Sequence, residues 1–415
     1  MLQLSAPDVY VVEEPSGARP IGAVPTSTAG FVGRATKPNA HLGEVVPVNN
    51  WTEFCAEFVP EGSTESTPLT NAVYGFFNNG GGRCYIVNIP EGADIEGSGD
   101  DRFGLGLLET IDEVAIVAAP GYSDMASYEA LISHCERLED RVAILDAPLD
   151  LKKPRLLTEV ATLDAEDTST SSGSGASGAE ADETAAPTAA ATDEDEPSRP
   201  RQTTYATMYY PGIIARDPLS GETVAMSPSG HLAGVWARTD LSRGVHKAPA
   251  NEPVRGALGL TYALTRQEQQ ELNPKGINCI RFFPAEGIKV WGARTLAAEA
   301  DPFRYLNVRR LFNMLKESIA EGTRWTVFEP NDEDLWSGIR RDLNGFLTRV
   351  WRDGALLGRT PQEAFFVKCD AETNPAEVRD AGQVVTLIGV APVKPAEFVV
   401  FKLSQSSDVT ELVGG

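Results

Sequence analysis

The chain has 415 residues, 42% of them apolar, and a formal net charge of −23 at pH 7. That length holds two ordinary domains, each with its own core, and the acidic balance argues against nonspecific binding to nucleic acid or anionic lipid, which need clustered Lys and Arg. No uncharged apolar run reaches the roughly 18 residues of a membrane span, and Met1-Leu-Gln-Leu-Ser-Ala-Pro7 lacks the basic and apolar regions of a secretory leader, so a cytoplasmic product without membrane insertion is expected.

Strand propensity appears first at Val9-Tyr-Val-Val-Glu13, followed by Pro15, Gly17, Pro20, Gly22 and Pro25, which detach it from the next strand. Residues 1–25 are therefore expected to form a strand arm with a linker. Thr28–Gly33 reads as a strand, and Trp51–Phe58 and Leu69–Phe77 read as helices from aromatics about one turn apart. Asn78-Asn-Gly-Gly-Gly-Arg83 follows a helix and precedes a strand, which makes it a tight turn; phosphate loops run from strand to helix. Arg83–Ile89, Glu113–Ala119 and Arg141–Asp146 read as buried strands, the last two flanking the helical Met125–Leu138 in a βαβ unit with a parallel sheet. The expected outer α/β domain covers 26–210.

Inside it, residues 164–200 carry ten acids against one Arg and lack the branched apolar and aromatic side chains that could offset ordering entropy, so this reads as an acidic, unfolded surface insertion. Five cysteines (Cys55, Cys84, Cys135, Cys279, Cys369) are far apart in apolar surroundings, and only four histidines accompany them; they read as buried thiols, with no metal or cofactor site. Beyond the insertion, Met208–Gly212, Ser227–Gly234, Ala237–Asp240 and Lys247–Asn251 look turn-rich. Asp301-Pro302 suggests the N-cap of a helix with Val308, Leu311, Phe312, Leu315 and Ile319 as its apolar stripe, stopped at Gly322. A second helix starts near Asn331 or Asp332, buries Leu335, Ile339, Leu343, Phe346 and Val350, and ends at Gly354. Finally, Ala391-Pro-Val-Lys-Pro-Ala396 leads into Glu397–Leu403, another strand set off by prolines.

Gly276-Ile-Asn278, Val290-Trp-Gly-Ala-Arg294, Arg309-Arg-Leu311, Phe328-Glu-Pro-Asn331 and Phe366-Val-Lys-Cys-Asp370 follow one another in order. Together they resemble the C-terminal domain of contractile tail sheath proteins, and Pro7-Asp-Val-Tyr10 and Ala391–Phe398 resemble the two arms of that family, with Asp8 where a glycine is usual. The resemblance implies a mixed fold, α/β with a parallel sheet in the first domain and α+β in a sheath domain over 211–392, followed by a C-terminal strand arm at 393–415. It implies a mechanical, non-enzymatic subunit that polymerises as stacked helical rings around an inner tube protein, with baseplate and cap or terminator proteins at the ends, built in the cytoplasm and capable of release within a particle.

Terminal strands can complete their own domain's sheet, or pair with a neighbour's. The residues alone leave both readings open; the resemblance favours exchange, through Val9, Tyr10, Val11 and Val12 at one end and Phe398, Val399, Val400 and Phe401 at the other. Arg341, Arg349 and Arg352 lie on one side of the second late helix, as a solvated basic face or as the face that meets the tube. The family's middle region has been likened to a subtilisin fold, which makes Ser229, His231 and Asp146 conceivable triad members. No Gly-x-Ser-x-Gly elbow surrounds Ser229, however, and the prolines at 211 and 228 suggest turns. A hydrolase is thus the second reading, and a noncontracting tube or baseplate component the third.

Overall fold

A computed structural model describes residues 20–96, 102–161 and 197–398. The elements run β1 (Ala29–Gly33), β2 (Val45–Val48), α1 (Trp51–Phe58), α2 (Pro68–Asn78), β3 (Cys84–Asn88), α3 (Leu105–Leu108), β4 (Ile116–Ala118), α4 (Met125–Leu138) and β5 (Val142–Asp146). They continue with β6 (Ala206–Tyr210), β7 (Ile213–Arg216), β8 (Thr223–Met226), α5 (Ser229–Arg243), β9 (Glu252–Pro253), β10 (Ala257–Leu260), α6 (Arg266–Leu272), β11 (Ile277–Phe283) and β12 (Gly287–Val290). Last come α7 (Leu306–Gly322), α8 (Glu333–Arg352), α9 (Pro361–Ala364), β13 (Phe365–Lys368), α10 (Ala376–Asp380) and β14 (Leu387–Val390).

Nine strands form one sheet in the order β2-β3-β1-β4-β5-β6-β11-β12-β9. From β3 to β11 every pairing is parallel, and antiparallel strands close both flanks. The inner strands are largely apolar because helices cover both faces, with buried polar residues such as Thr207 and Asn278 held by hydrogen bonds. Alternate residues go to opposite sides: Phe31, Ile86, Ile144 and Tyr209 meet α1, α2 and α5, while Val32, Val87, Leu145 and Met208 meet α3, α4 and α6. Both outer strands, β2 and β9, carry a proline, which blunts edge pairing. The sheet continues across residue 210, the expected domain boundary, through β11, β12 and β9. β7, β8 and β10 form a separate three-stranded sheet.

Helix α5 corrects the turn-rich reading of Ser227–Gly234 and Ala237–Asp240. Ten of its fifteen residues are buried, so no one-sided apolar stripe marks it in the sequence. Its glycines are packing residues. A Cβ on Gly230 would lie 2.2 Å from the Ala72 carbonyl oxygen, and one on Gly234 2.4 Å from that of Phe76, so α5 lies almost backbone to backbone on α2.

The helical part that follows has its own core, in which Leu311 and Leu315 of α7 meet Leu335, Ile339, Leu343, Phe346 and Val350 of α8, with Phe365 of β13. Asp332 caps α8, accepting from the Leu335 N–H at 3.0 Å, and Gly354 beyond the helix takes φ +83°. Helix α7 begins four residues later than Asp301-Pro302 suggests. Backbone at 304–306 is committed elsewhere: Thr295 N–H donates to Arg304 O, and Leu306 N–H to Ala293 O, so Asp301 instead caps a turn at Phe303. Four of the five cysteines are buried and Cys55 is half-buried; all five are free thiols.

Candidate functional site

The sequence motifs converge on the place where the C-terminal segment leaves the body. Gly276 has φ +82°, and a Cβ there would sit 2.4 Å from the Thr295 carbonyl oxygen. Two residues on, the buried Asn278 donates to Thr207 Oγ1 and Arg294 O, both at 2.8 Å, and accepts from Arg294 N–H at 2.8 Å. Gly292 is small for the same reason, since a Cβ would meet Asn278 Oδ1 at 2.7 Å. This scaffold aims the buried Arg294 outward. Its Nη1 donates to Asn273 O at 2.7 Å and its Nη2 to Glu397 Oε2 at 2.5 Å. Asn273 Nδ2 reaches the other Glu397 oxygen at 3.0 Å, and the Tyr305 hydroxyl lies 3.4 Å from Oε2.

The N-terminal segment is rooted at the far end of α7. Ile21 is buried against Gly322, and Arg349 donates to its carbonyl. Val24 N–H donates to Ser318 Oγ at 3.0 Å, and the Thr26 carbonyl accepts from Arg310 at 2.8 Å. Residues 21–26 therefore run antiparallel along α7; the Pro- and Gly-rich stretch from Pro20 to Thr26 is docked instead of detached. At its end, Arg310 grips Asp240 of α5 at 2.6 and 3.0 Å beneath Thr26, and stacks over the Trp236 ring. Burial pushes the Asp240 carboxyl up, and Arg310 opposes that rise. Arg309, beside it, lies over the Tyr205 and Phe303 rings. The two roots are separated by 17 residues of helix, roughly 25 Å at 1.5 Å per residue.

Strands β13 and β14 form a two-stranded antiparallel sheet. Ala391 N–H donates to Ala364 O and Ala391 O accepts from Leu357 N–H, so alternate residues of β14 point to β13, and Ile388 and Val390 point to the other edge. That edge has no strand partner among the described residues. One face packs on α8, while Phe366 and Leu387 on the other remain more than half exposed. Phe328, in the turn before α8, is fully exposed and has φ +69°.

Val9, Tyr10, Val11, Val12, Val399, Val400 and Phe401 lie outside the described residues, as does 164–196 of the acidic insertion. Phe398 is described and is 74% exposed. Arg341, Arg349 and Arg352 are all exposed on α8, but they are not equivalent: Arg341 reaches Asp342 Oδ1 at 3.3 Å, and Arg349 turns to the Ile21 carbonyl.

The conceivable triad is not assembled. Ser229 Oγ donates directly to Asp146 Oδ2 at 2.5 Å and its N–H to Oδ1 at 2.8 Å, so the carboxylate serves the start of α5. Burial pushes Asp146 up to about 7. His231 packs on Gly75 with its Nδ1 unpartnered, and burial pulls it down to about 4. All three side chains are buried. Among the described residues no group of His, Cys, Asp or Glu could hold a metal, and no helix is long and apolar enough to cross a membrane.

A closed three-layer body, a helical part whose sheet edge has no strand partner among the described residues, and two segments rooted at opposite ends of one helix make up a mixed α/β protein of two parts. Residues 110–296 match the phage tail sheath protein central domain and 299–406 the phage tail sheath C-terminal domain, together most of the chain. The tail sheath protein of Vibrio phage KVP40 is 31% identical over 192 residues, 45% of this chain, and that of Burkholderia phage BcepMu is 27% identical over 215, 50% of this chain. The aligned stretches span only 28% and 44% of those phage proteins. Among solved structures, the contracted PVC sheath complex of an extracellular contractile injection system superposes with a TM-score of 0.74 at 28% identity, covering 98% of this chain and 99% of that one. The contracted helical sheath of the anti-feeding prophage gives 0.72 at 27%, covering 97% and 100%. The chain belongs to the phage tail sheath family.

Proposed function

We propose that this chain is the repeating subunit of a contractile sheath, stacked as helical rings around an inner tube and shortening from a metastable extended form to drive that tube forward. The observation that carries this is the end-to-end likeness to sheath subunits of two contractile systems, at 28% and 27% identity. No reaction is catalysed; the work comes from a free-energy difference between two packings of the same subunits. The terminal arms, residues 1–25 and 393–415, lend strands to other copies, and the open edge of β14 receives one. Such a head-to-tail contact is heterologous and therefore propagates.

Inner tube, baseplate and terminator proteins are the expected partners. On α8, Arg341, Arg349 and Arg352 are the residues expected to face the tube, Arg349 also serving the Ile21 carbonyl and Arg341 pairing with Asp342. Assembly takes place in the cytoplasm, with release inside a particle.

The test is electron microscopy of the purified chain with and without its tube. Hollow, cogwheel-profiled cylinders support the reading; thin smooth tubes, or single particles with hydrolytic turnover, replace it with a tube protein or an enzyme. Ile388→Pro sharpens the test, since its N–H faces the open edge and the β13 ladder survives the change. Sheath formation should be lost, with the protomer still folded and destabilised by about 1–2 kcal/mol, because the half-buried Ile388 side chain packs on the core of the helical part.

A further inference from the structure

Glu397 is held far more firmly than the residues around it require. Its two carboxylate oxygens meet donors from three separate places: Arg294 after β12, Asn273 at the end of α6, and Tyr305 just before α7. Arg294 is only 4% exposed and leaves its own Nε without a partner in reaching out. The next residue, Phe398, is exposed. Upstream, Val393 is tied to the helical part through Ala355 O and Asn307 Nδ2. The segment thus crosses from the helical part to the rim of the α/β body and is fastened there, at its last described polar side chain.

We propose that Arg294 and Glu397 form a clasp that sets the point and direction from which the C-terminal arm departs toward a neighbouring copy, a role that rests on the strand-donation reading. A charge-assisted, multiply donated carboxylate is a strong and directional tie. Without it the tether begins near Val393, four residues earlier. A longer, unaimed tether lowers the effective concentration of the donated strand at its acceptor, without removing any contact between protomers. The clasp also joins the arm to both parts of the protomer at once, because Arg294 belongs to the body and Tyr305 leads into α7.

The test uses the full chain with Glu397→Ala, Glu397→Gln and a truncation after Phe398. Three quantities are read: the protein concentration at which half the chain sediments as sheath, hydrogen exchange of amides 391–398, and the melting temperature of the protomer. Glu397→Ala should raise the half-assembly concentration by about tenfold, speed exchange at 394–398 and lower melting modestly, because the buried Arg294 loses its carboxylate partner. Glu397→Gln keeps one acceptor oxygen and should fall between it and the parent. The truncated chain should not assemble at all. If it fails while Glu397→Ala assembles like the parent, the clasp is refuted and strand donation stands. If the truncated chain assembles normally, strand donation falls and takes the clasp with it. If Glu397→Ala weakens assembly without speeding exchange at 394–398, the effect lies in packing of the protomer and the proposal is also overturned.

Discussion

The α/β body and the helical part solve opposite problems with the same kinds of residue. In the body, helices cover both faces of the sheet and both outer strands end in proline-bearing, poorly pairing edges. In the helical part, a two-stranded sheet keeps an edge without a strand partner among the described residues; exposed apolar side chains occur in both parts, Phe366, Leu387 and Phe328 here and Leu241, Leu258 and Phe282 in the body. A protein built only to be stable would have finished both. The difference teaches that damage to the body should be read as lost stability, whereas damage to the helical part should be read as lost assembly.

The largest expected effect is Gly230→Val. Its Cβ would overlap the Ala72 carbonyl, and no rotamer relieves a clash with backbone, so α2 and α5 must separate at a cost of about 3 kcal/mol. Urea denaturation measures this; an unchanged midpoint would break the comparison at its firmest point.

A second test exploits three buried titratable groups of the body, Asp146, His134 and His231. Asp146, pushed up to about 7, contributes stability that is fully present below about pH 4 and lost as the pH rises through about 7. His231 and His134, pulled down to about 4 and about 3, contribute stability that is present above about pH 6.5 and lost as the pH falls through those values. The two trends oppose each other, and Asp146→Asn removes only the first. Between pH 4.5 and 6 its stability should therefore climb more steeply than the parent's, by about 1.4 kcal/mol per pH unit. Parallel profiles would show that Asp146 is already ionised in the fold.

The smallest expected effect has the opposite sign. Phe328 holds a left-handed backbone conformation with its ring wholly in solvent, so Phe328→Gly should stabilise the isolated protomer by about 1 kcal/mol. A loss of stability would give that ring a packing role within the protomer and blur the contrast between the two parts.

Much of this fold was legible from residue pattern. Buried strands such as Cys84–Asn88 announce themselves as apolar runs, and α8 by a stripe whose five expected residues are all buried. Helix α5 was not, because burial on nearly every side erases periodicity, and glycines that permit close packing look like glycines that make turns. The start of α7 was misread because Asp301-Pro302 is a sound local cap signal, overridden by pairing with residues 293–295 that lie close only in the folded chain. At the candidate site, the motifs around Asn278 and Arg294 were visible, yet their shared target, Glu397, was not: a single acid at the head of a strand has no local signature. The same holds for Arg310 and Asp240, seventy residues apart and joined only by packing.

Helix α7 has one more consequence. The incoming segment is pinned along its length, from Gly322 back to Arg310, and the outgoing one at its beginning, near Tyr305. A pull on one tail would therefore reach the other along this helix and also through the rim of the α/β body, which Arg294 and Asn273 join to Glu397 at the same point. Were copies linked through these ends, the helix would set the spacing between successive ties, and the α/β body would share the load with it.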